Sequence, residues 1–261
     1  MIPDTIYTGD NVATLKTFPD ACIDLVVTSP PYDNLRTYGG HTWDFEGVAR
    51  ELTRVLKPGG VIVWVVADAT VKGSETLTSM RQAIHFKDVC GLNVHDTMIW
   101  NKSETNFPDT VRYSQSWEYM VILSKGAPKT TNLIADRQNK SFGRMRVGTD
   151  RSASGETRKS YTKPVKEMGV RMNLWCVTPE KGNIRREHPA TFPLDLARDH
   201  ILSWSNEGDV VLDPFAGSGT TCLAARDAGR QYVGIEINPE YVEIINRRLG
   251  LANHSISHHE K

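Results

Sequence analysis

The chain has no apolar run long enough to cross a membrane, and its opening, Met1-Ile2-Pro3-Asp4, lacks a basic stretch followed by an apolar one. Neither a membrane span nor a secretory leader is expected. Cysteine is scarce. The four residues Cys22, Cys90, Cys176 and Cys222 are widely scattered, with neither the paired spacing of a zinc site nor the density of a disulfide scaffold. They read as reduced thiols, mostly in the core of a cytoplasmic protein without a bound metal. Net charge is also missing, with 31 basic residues balancing 31 acidic ones, so bulk composition says nothing about a nucleic-acid partner. The distribution says more. Between Lys125 and Arg171 there are twelve Lys or Arg against four Asp or Glu. A segregated basic block of this kind is the electrostatic footprint of a phosphate-facing surface.

The 261 residues suffice for one large α/β domain with an insertion. Apolar runs predict strands at Ile6–Thr8, Ile23–Thr28, Val61–Ala67, Val94–Trp100, Trp117–Leu123, Val210–Leu212 and Tyr232–Ile237. Between several of them the apolar spacing turns helical. Phe45, Val48, Ala49, Leu52, Val55 and Leu56 form one such stripe, which Pro58-Gly59-Gly60 is expected to end. Leu223–Ala228 and Tyr241–Leu249 form two more, the latter opening at Asn238-Pro239 as N-cap and first-turn proline. Strands alternating with helices predict a mostly parallel sheet covered on both faces. Gly126–Gly169 is polar and without periodicity, and reads as a loop-rich insertion. The resulting division is 1–124, a basic insertion at 125–171, 172–252, and a frayed polar tail at 253–261.

Two motifs carry chemistry. The apolar run Ile23–Val27 ends in Thr28-Ser29-Pro30-Pro31-Tyr32: a small polar acceptor, two stiff prolines and an aromatic ring where a buried strand emerges. That set suits gripping a planar amine by its hydrogens while the ring stacks on its face. Taken alone, it is equally a strand end capped by a proline turn. The second motif is the loop Asp213-Pro214-Phe215-Ala216-Gly217-Ser218-Gly219-Thr220-Thr221, leading into a helix and then a strand that ends at Glu236. Gly217 and Gly219 permit positive φ and close approach of a ligand, and the helix N-terminus is expected to offer unpaired N–H groups to an anion. Glu236 sits where an acid can bind both hydroxyls of a ribose. The loop is not the three-glycine dinucleotide fingerprint, because an acid and a phenyl ring occupy its turn.

With both motifs in this order, the chain resembles the β group of S-adenosylmethionine-dependent DNA amino-methyltransferases, in which a Ser/Asp/Asn-Pro-Pro-Tyr/Phe motif precedes the target-recognition region and the cofactor loop comes last. Further matching pieces are Gly9-Asp10, Leu56-Lys57-Pro58-Gly59-Gly60, Trp100-Asn101-Lys102 and His188-Pro189-Ala190-Thr191-Phe192-Pro193. The resemblance implies a Rossmann-like, seven-stranded methyltransferase sheet with rearranged motif order, and S-adenosylmethionine as cofactor. It implies that Asp213, Phe215, Gly217, Ser218, Gly219, Thr220 and Thr221 surround the cofactor's methionine part. Glu236 would hold the ribose and Asp10 the adenine edge, Thr28, Pro214, Ala216, Ile237 and Asn238 would also contact the cofactor, and His188, Pro189 and Phe192 would close the pocket. Read without the resemblance, Asp10 caps a helix at Asn11–Leu15, His188 is a structural histidine, and Tyr38 and Trp43 are packing or loop residues. The loop Asp33–Thr42 could close over DNA.

The implied activity is methyl transfer to an exocyclic amine of a flipped base in double-stranded DNA, with Ser29, Pro30, Pro31 and Tyr32 as the catalytic residues. Serine before Pro-Pro-Tyr leans within the family toward cytosine N4, and aspartate toward adenine N6. None of the four cysteines follows a proline, as methylation at cytosine C5 would require. Arg144, Arg146, Arg151, Arg158 and Lys159 are candidates for phosphate or base contacts; the bland alternative is a solvated charged loop. Dimers occur in the family. Two rival readings are a protein-glutamine methyltransferase, which normally carries asparagine before Pro-Pro-Tyr and its cofactor loop first, and a non-catalytic DNA-binding relic.

Overall fold

The computed structural model describes residues 1–31, 43–102, 110–145, 148–159, 163–179 and 193–251. The loop Asp33–Thr42, Tyr38 and the tail from Asn253 lie outside them, as do Tyr32, Arg146, His188, Pro189 and Phe192. Two compact units are present, one of residues 1–132 with 173–261 and one of residues 133–172.

The first unit is built on a mixed eight-stranded sheet. Its strands are β1 (Thr5–Thr8), β2 (Ile23–Thr28), β3 (Leu56–Val66), β6 (Asn93–Asn101), β7 (Trp117–Ser124), β12 (Leu174–Cys176), β13 (Val210–Asp213) and β14 (Gln231–Glu236), with a small hairpin of β4 (Thr70–Val71) and β5 (Ser74–Glu75) after β3. The order across the sheet is β1-β14-β13-β2-β3-β7-β6-β12. Strand β7 runs antiparallel to both β3 and β6, and the remaining pairs are parallel. The seven strands expected from apolar runs are all present. The eighth is the three-residue edge strand β12, which pairs Leu174 with Ile99 and Cys176 with Asn101.

Helices follow the apolar spacing. Phe45–Val55 buries Val48, Ala49, Leu52 and Val55 and is capped by Asp44, which accepts from Gly47 N. Asn238 caps Pro239–Leu249, and Gly250 ends it in the left-handed region. Thr220–Asp227 packs against both Leu194–Trp204 and Pro239–Leu249, while Asn11–Leu15 packs on Phe45–Val55. The core between sheet and helices is mainly apolar, with Leu25, Val26, Ile62, Trp64, Leu123 and Leu212 fully buried.

Two local readings need correction, and one helix has no counterpart in the sequence patterning. Pro58-Gly59-Gly60 does not stop a helix; the helix has already ended at Val55, and these residues lie inside β3. A register shift opposite Ile23 and Leu25 accommodates them, and a side chain on Gly60 would come within 2.9 Å of the Asp24 carbonyl. The helix Thr78–Asp88 carries no clear apolar stripe because two of its three buried residues, Ser79 and Gln82, are polar. Finally, Cys176 is exposed rather than in the core, Cys22 and Cys90 are half-buried, and Cys222 alone is fully buried.

The second unit holds short strands where a loop was expected. β8 (Arg137–Gln138) pairs antiparallel with β11 (Met168–Gly169), and β9 (Thr149–Arg151) with β10 (Thr157–Lys159). Strands of two or three residues leave no alternating signature to read. Arg171 braces this unit by donating to Asp136.

Candidate active site

The strand order reverses between β13 and β2. From β13 the chain passes through helix Thr220–Asp227 to β14 on one side, and from β2 through helix Phe45–Val55 to β3 on the other. In open α/β sheets the crevice beyond the carboxyl ends at such a point is where ligands bind. Both sequence motifs emerge there, Ser29-Pro30-Pro31 from β2 and the glycine loop from β13.

The two motifs are bonded to each other. Thr28, 1% exposed, donates its hydroxyl to Asp213 Oδ1 at 2.7 Å. Thr221 Oγ1 donates to the Val27 carbonyl at 3.1 Å. Thr28 therefore joins the site from below, as a support for Asp213 with its hydroxyl already engaged. Asn11, a residue the sequence did not single out, donates from Nδ2 to the Pro214 carbonyl at 3.4 Å and ties the first helix to the same loop.

The glycine loop is closed by its own backbone. Phe215 N donates to Asp213 Oδ1 (3.1 Å), Ala216 N to the Ile235 carbonyl (2.9 Å), and Gly219 N to the Ala216 carbonyl (2.7 Å). Gly217 N donates to Glu236 Oε2 at 2.8 Å. The N–H groups of the two glycines are thus engaged within the protein. Both residues have positive φ, 52° and 78°. At Gly219 the missing side chain makes room for Ile245, whose Cγ2 would lie 2.7 Å from a Cβ. Ser218 and Thr220 are buried, with their hydroxyls facing Arg248.

Two buried carboxylates face this loop. Asp213 is 5% exposed, and burial pushes its carboxyl up to about 6 against the opposing hydrogen bonds from Thr28, Phe215 and Thr221. Glu236, 8% exposed, is also raised, chiefly by burial and in part by the charge of Asp213, while the N–H groups of Asn238 and Gly217 pull the other way. Asn238 N lies 2.9 Å from Glu236 Oε1. Neither acid has an ion-pair partner among the described residues. Two buried acids with hydrogen-bond donors but no cation suit a ligand that carries positive charge itself. Beside Glu236, Ile237 is 38% exposed and offers apolar surface to a planar ring. Phe215, half-buried in the glycine loop, packs edge-on against Trp43 with ring centroids 4.9 Å apart and against Trp64 at 6.4 Å. This donor and surface set fits the sulfonium and adenosine parts of S-adenosylmethionine.

Ser29 and Pro31 are half-buried at the end of β2, and Pro30 is buried. Asp10 is exposed, and its Oδ1 accepts from Ala13 N at 2.8 Å, the cap that its position predicts. In the second unit Arg144, Arg151 and Arg158 are all exposed. Arg151 stands opposite Thr157, so the adjacent Arg158 belongs to the other face of the β9–β10 hairpin. Lys159 lies in β10. Sequence reasoning missed Arg248 and Asn11 because both reach the loop from distant helices, Asn11 through a backbone carbonyl and Arg248 through a carbonyl and two hydroxyls, for which no local motif exists.

Comparison with known proteins gives the family. A family model described as DNA methylase matches residues 23–247. The orphan methyltransferase M.BamHII of Bacillus amyloliquefaciens is 53% identical over 88% of this chain and 89% of its own. The DNA adenine methyltransferase YhdJ of Escherichia coli K12 is 31% identical over 96% of this chain and 84% of its own. Among solved structures, TTHA0409 of Thermus thermophilus, complexed with S-adenosyl-L-methionine, matches with a TM-score of 0.62 at 28% identity, covering 94% of each chain. The cofactor is S-adenosylmethionine, and the chain belongs to the N6/N4 DNA methylase family, the DNA amino-methyltransferases.

Proposed function

We propose that the chain methylates the N4 amine of cytosine in DNA. The reading rests on one juxtaposition: Ser29 and Pro30 follow directly on Thr28, whose hydroxyl is bonded to Asp213 at the head of the glycine loop. An amine grip and a methyl-donor cradle are then held at adjacent strand ends.

An exocyclic amine is a poor nucleophile because its lone pair is delocalised into the ring. Two acceptors, one for each N–H, favour a pyramidal nitrogen and free the lone pair. Ser29 Oγ and the Pro30 carbonyl are assigned these roles. Two successive prolines restrict the backbone that aims the carbonyl, so the acceptors are preorganised before the base arrives. Bound S-adenosylmethionine supplies a methyl group already activated on sulfur, and the protein's task becomes alignment. In this reading Asp213, Phe215 and the turn from Gly217 to Thr221 surround the methionine part, with Glu236 on the ribose and Ile237 against adenine. His188, Pro189 and Phe192 close the pocket. Tyr32 stacks on a base extruded from the duplex, since the amine cannot be approached within the stack. The basic second unit contacts the duplex through residues such as Arg144 and Arg151.

Transfer of a labelled methyl group to duplex DNA, followed by nucleoside analysis, tests the assignment: N4-methylcytosine is expected, and label only in N6-methyladenine would overturn it. Adenine N6 is the second reading. It is favoured by the 31% identity to a DNA adenine methyltransferase, and a serine hydroxyl can accept from either amine.

A further inference from the structure

The glycine loop does not hold its shape alone. Its outer side rests on the last helix, Pro239–Leu249, about thirty residues further along the chain. Arg248 Nη1 donates to the Ser218 carbonyl at 2.6 Å, to Ser218 Oγ at 3.0 Å and to Thr220 Oγ1 at 3.1 Å. Ser218 and Thr220 are each 4% exposed, so little solvent is at hand to replace that donor. One turn earlier on the same helix, the fully buried Ile245 fills the space left by the missing side chain of Gly219. The helix therefore meets the loop at three consecutive residues, 218 to 220.

An arginine in a last helical turn ordinarily complements the carboxyl-end dipole from the surface. Arg248 is instead half-buried and turned onto the loop. Arg226 provides the contrast: its Nη1 donates to the Leu249 carbonyl at 2.7 Å, and its Nε and Nη2 pair with Asp227. It docks the same helix end without touching residues 218–220 in those bonds.

We propose that Arg248 is a positioning residue for the methyl donor, holding the Ser218–Thr220 segment in the shape that binds S-adenosylmethionine. The proposal rests on the reading that this loop cradles the cofactor. Because the contacts are made before the base arrives, losing them weakens cofactor binding and leaves the transfer step nearly intact, the signature of lost uniform binding.

Calorimetric binding of S-adenosylmethionine, duplex affinity and kcat at saturating cofactor, measured on the full chain, test this. Arg248→Ala is expected to raise Kd and KM for the cofactor at least about tenfold, equivalent to about 1.4 kcal/mol, with duplex affinity unchanged and kcat within about threefold. Thr220→Val keeps the guanidinium and removes one acceptor, so a smaller rise is expected. In the double variant it adds less than its separate effect, because both changes break the same contact. Should Arg248→Ala fail to fold, Thr220→Val carries the test alone, and wild-type affinity in it would refute the proposal. Arg226→Ala lowers thermal stability and leaves cofactor affinity unchanged. Arg248→Ala binding as tightly as wild type, or Arg226→Ala weakening binding equally, would overturn the proposal. Glu236→Ala separates the two levels. If it too left affinity unchanged, the cofactor would bind elsewhere and the reading of the loop itself would fall.

Discussion

Thr28 donates to Asp213 at 2.7 Å across a sequence separation of 185 residues. That bond joins the strand carrying the proposed amine grip to the loop assigned to the methyl donor, and it lies beneath the crevice at the carboxyl ends of β2 and β13. Asp213 is buried, and Thr28, the Phe215 N–H and Thr221 are the groups that favour its charged form.

Thr28→Val removes one of these supports while preserving shape. Loss of a hydrogen bond to a buried carboxylate costs about 1–3 kcal/mol. Chemical denaturation should show that loss at pH 7, where Asp213 is ionised, and a smaller one at pH 5, where it is protonated. An equal loss at both pH values would mean that the bond does not sense the charge.

The raised carboxyl of Asp213 has a definite sign in pH dependence. Unfolded, the group releases its proton near 3.9; folded, it holds it until about 6. Its contribution to stability is therefore full below the unfolded value and is lost as pH rises through 6, amounting to about 2–3 kcal/mol at most. Asp213→Asn should flatten that part of the profile. A bound sulfonium favours the ionised acid, so affinity for S-adenosylmethionine should rise as pH increases from 5 to 7. S-adenosylhomocysteine, lacking the positive sulfur, should show a weaker rise, and equal pH dependence for the two ligands would argue against placing the sulfonium near Asp213.

The β9–β10 hairpin presents Arg151 and Arg158 on opposite faces. A duplex lying against one face should engage one of them. Single alanine substitutions are expected to reduce the salt slope of DNA affinity by about one unit for one residue only. Unchanged slopes in both variants would remove this hairpin from the DNA interface.

Thiol chemistry should distinguish the cysteines. Cys176 is exposed, burial raises the thiols of Cys22 and Cys90, and burial together with the charge of Asp213 pushes Cys222 well above its usual range. One fast-reacting thiol is expected with a colorimetric reagent on the native protein, and Cys176→Ser should abolish it. Two fast thiols in the native state would contradict the burial pattern.

The main strands were legible because each is an apolar run bounded by turn residues, and Ser29, Asp213 and Glu236 stood out because chemistry-bearing residues mark the strand ends. Strands of two or three residues are too short to carry such a signal, which is why β12, although apolar, and the four strands of the second unit went unread. Pro58-Gly59-Gly60 misled for a physical reason: a bulged strand tolerates residues that elsewhere end a helix. Within the loop, the motif identified Ser218 and Thr220 but not the direction of their hydroxyls. That direction depends on Arg248, and a contact between a helix end and a backbone carbonyl thirty residues away leaves no pattern in sequence.

The central claim, an amine grip at Ser29 beside a cofactor loop anchored at Asp213, is tested most directly by Ser29→Ala in the labelled methyl-transfer assay, with cofactor affinity measured alongside. N4-methylcytosine is expected from the wild-type chain, and in the variant a fall in kcat of about 10²–10³, the scale for losing one preorganised hydrogen-bonding group, at unchanged affinity for S-adenosylmethionine. A variant that transfers methyl groups as fast as wild type would contradict that claim.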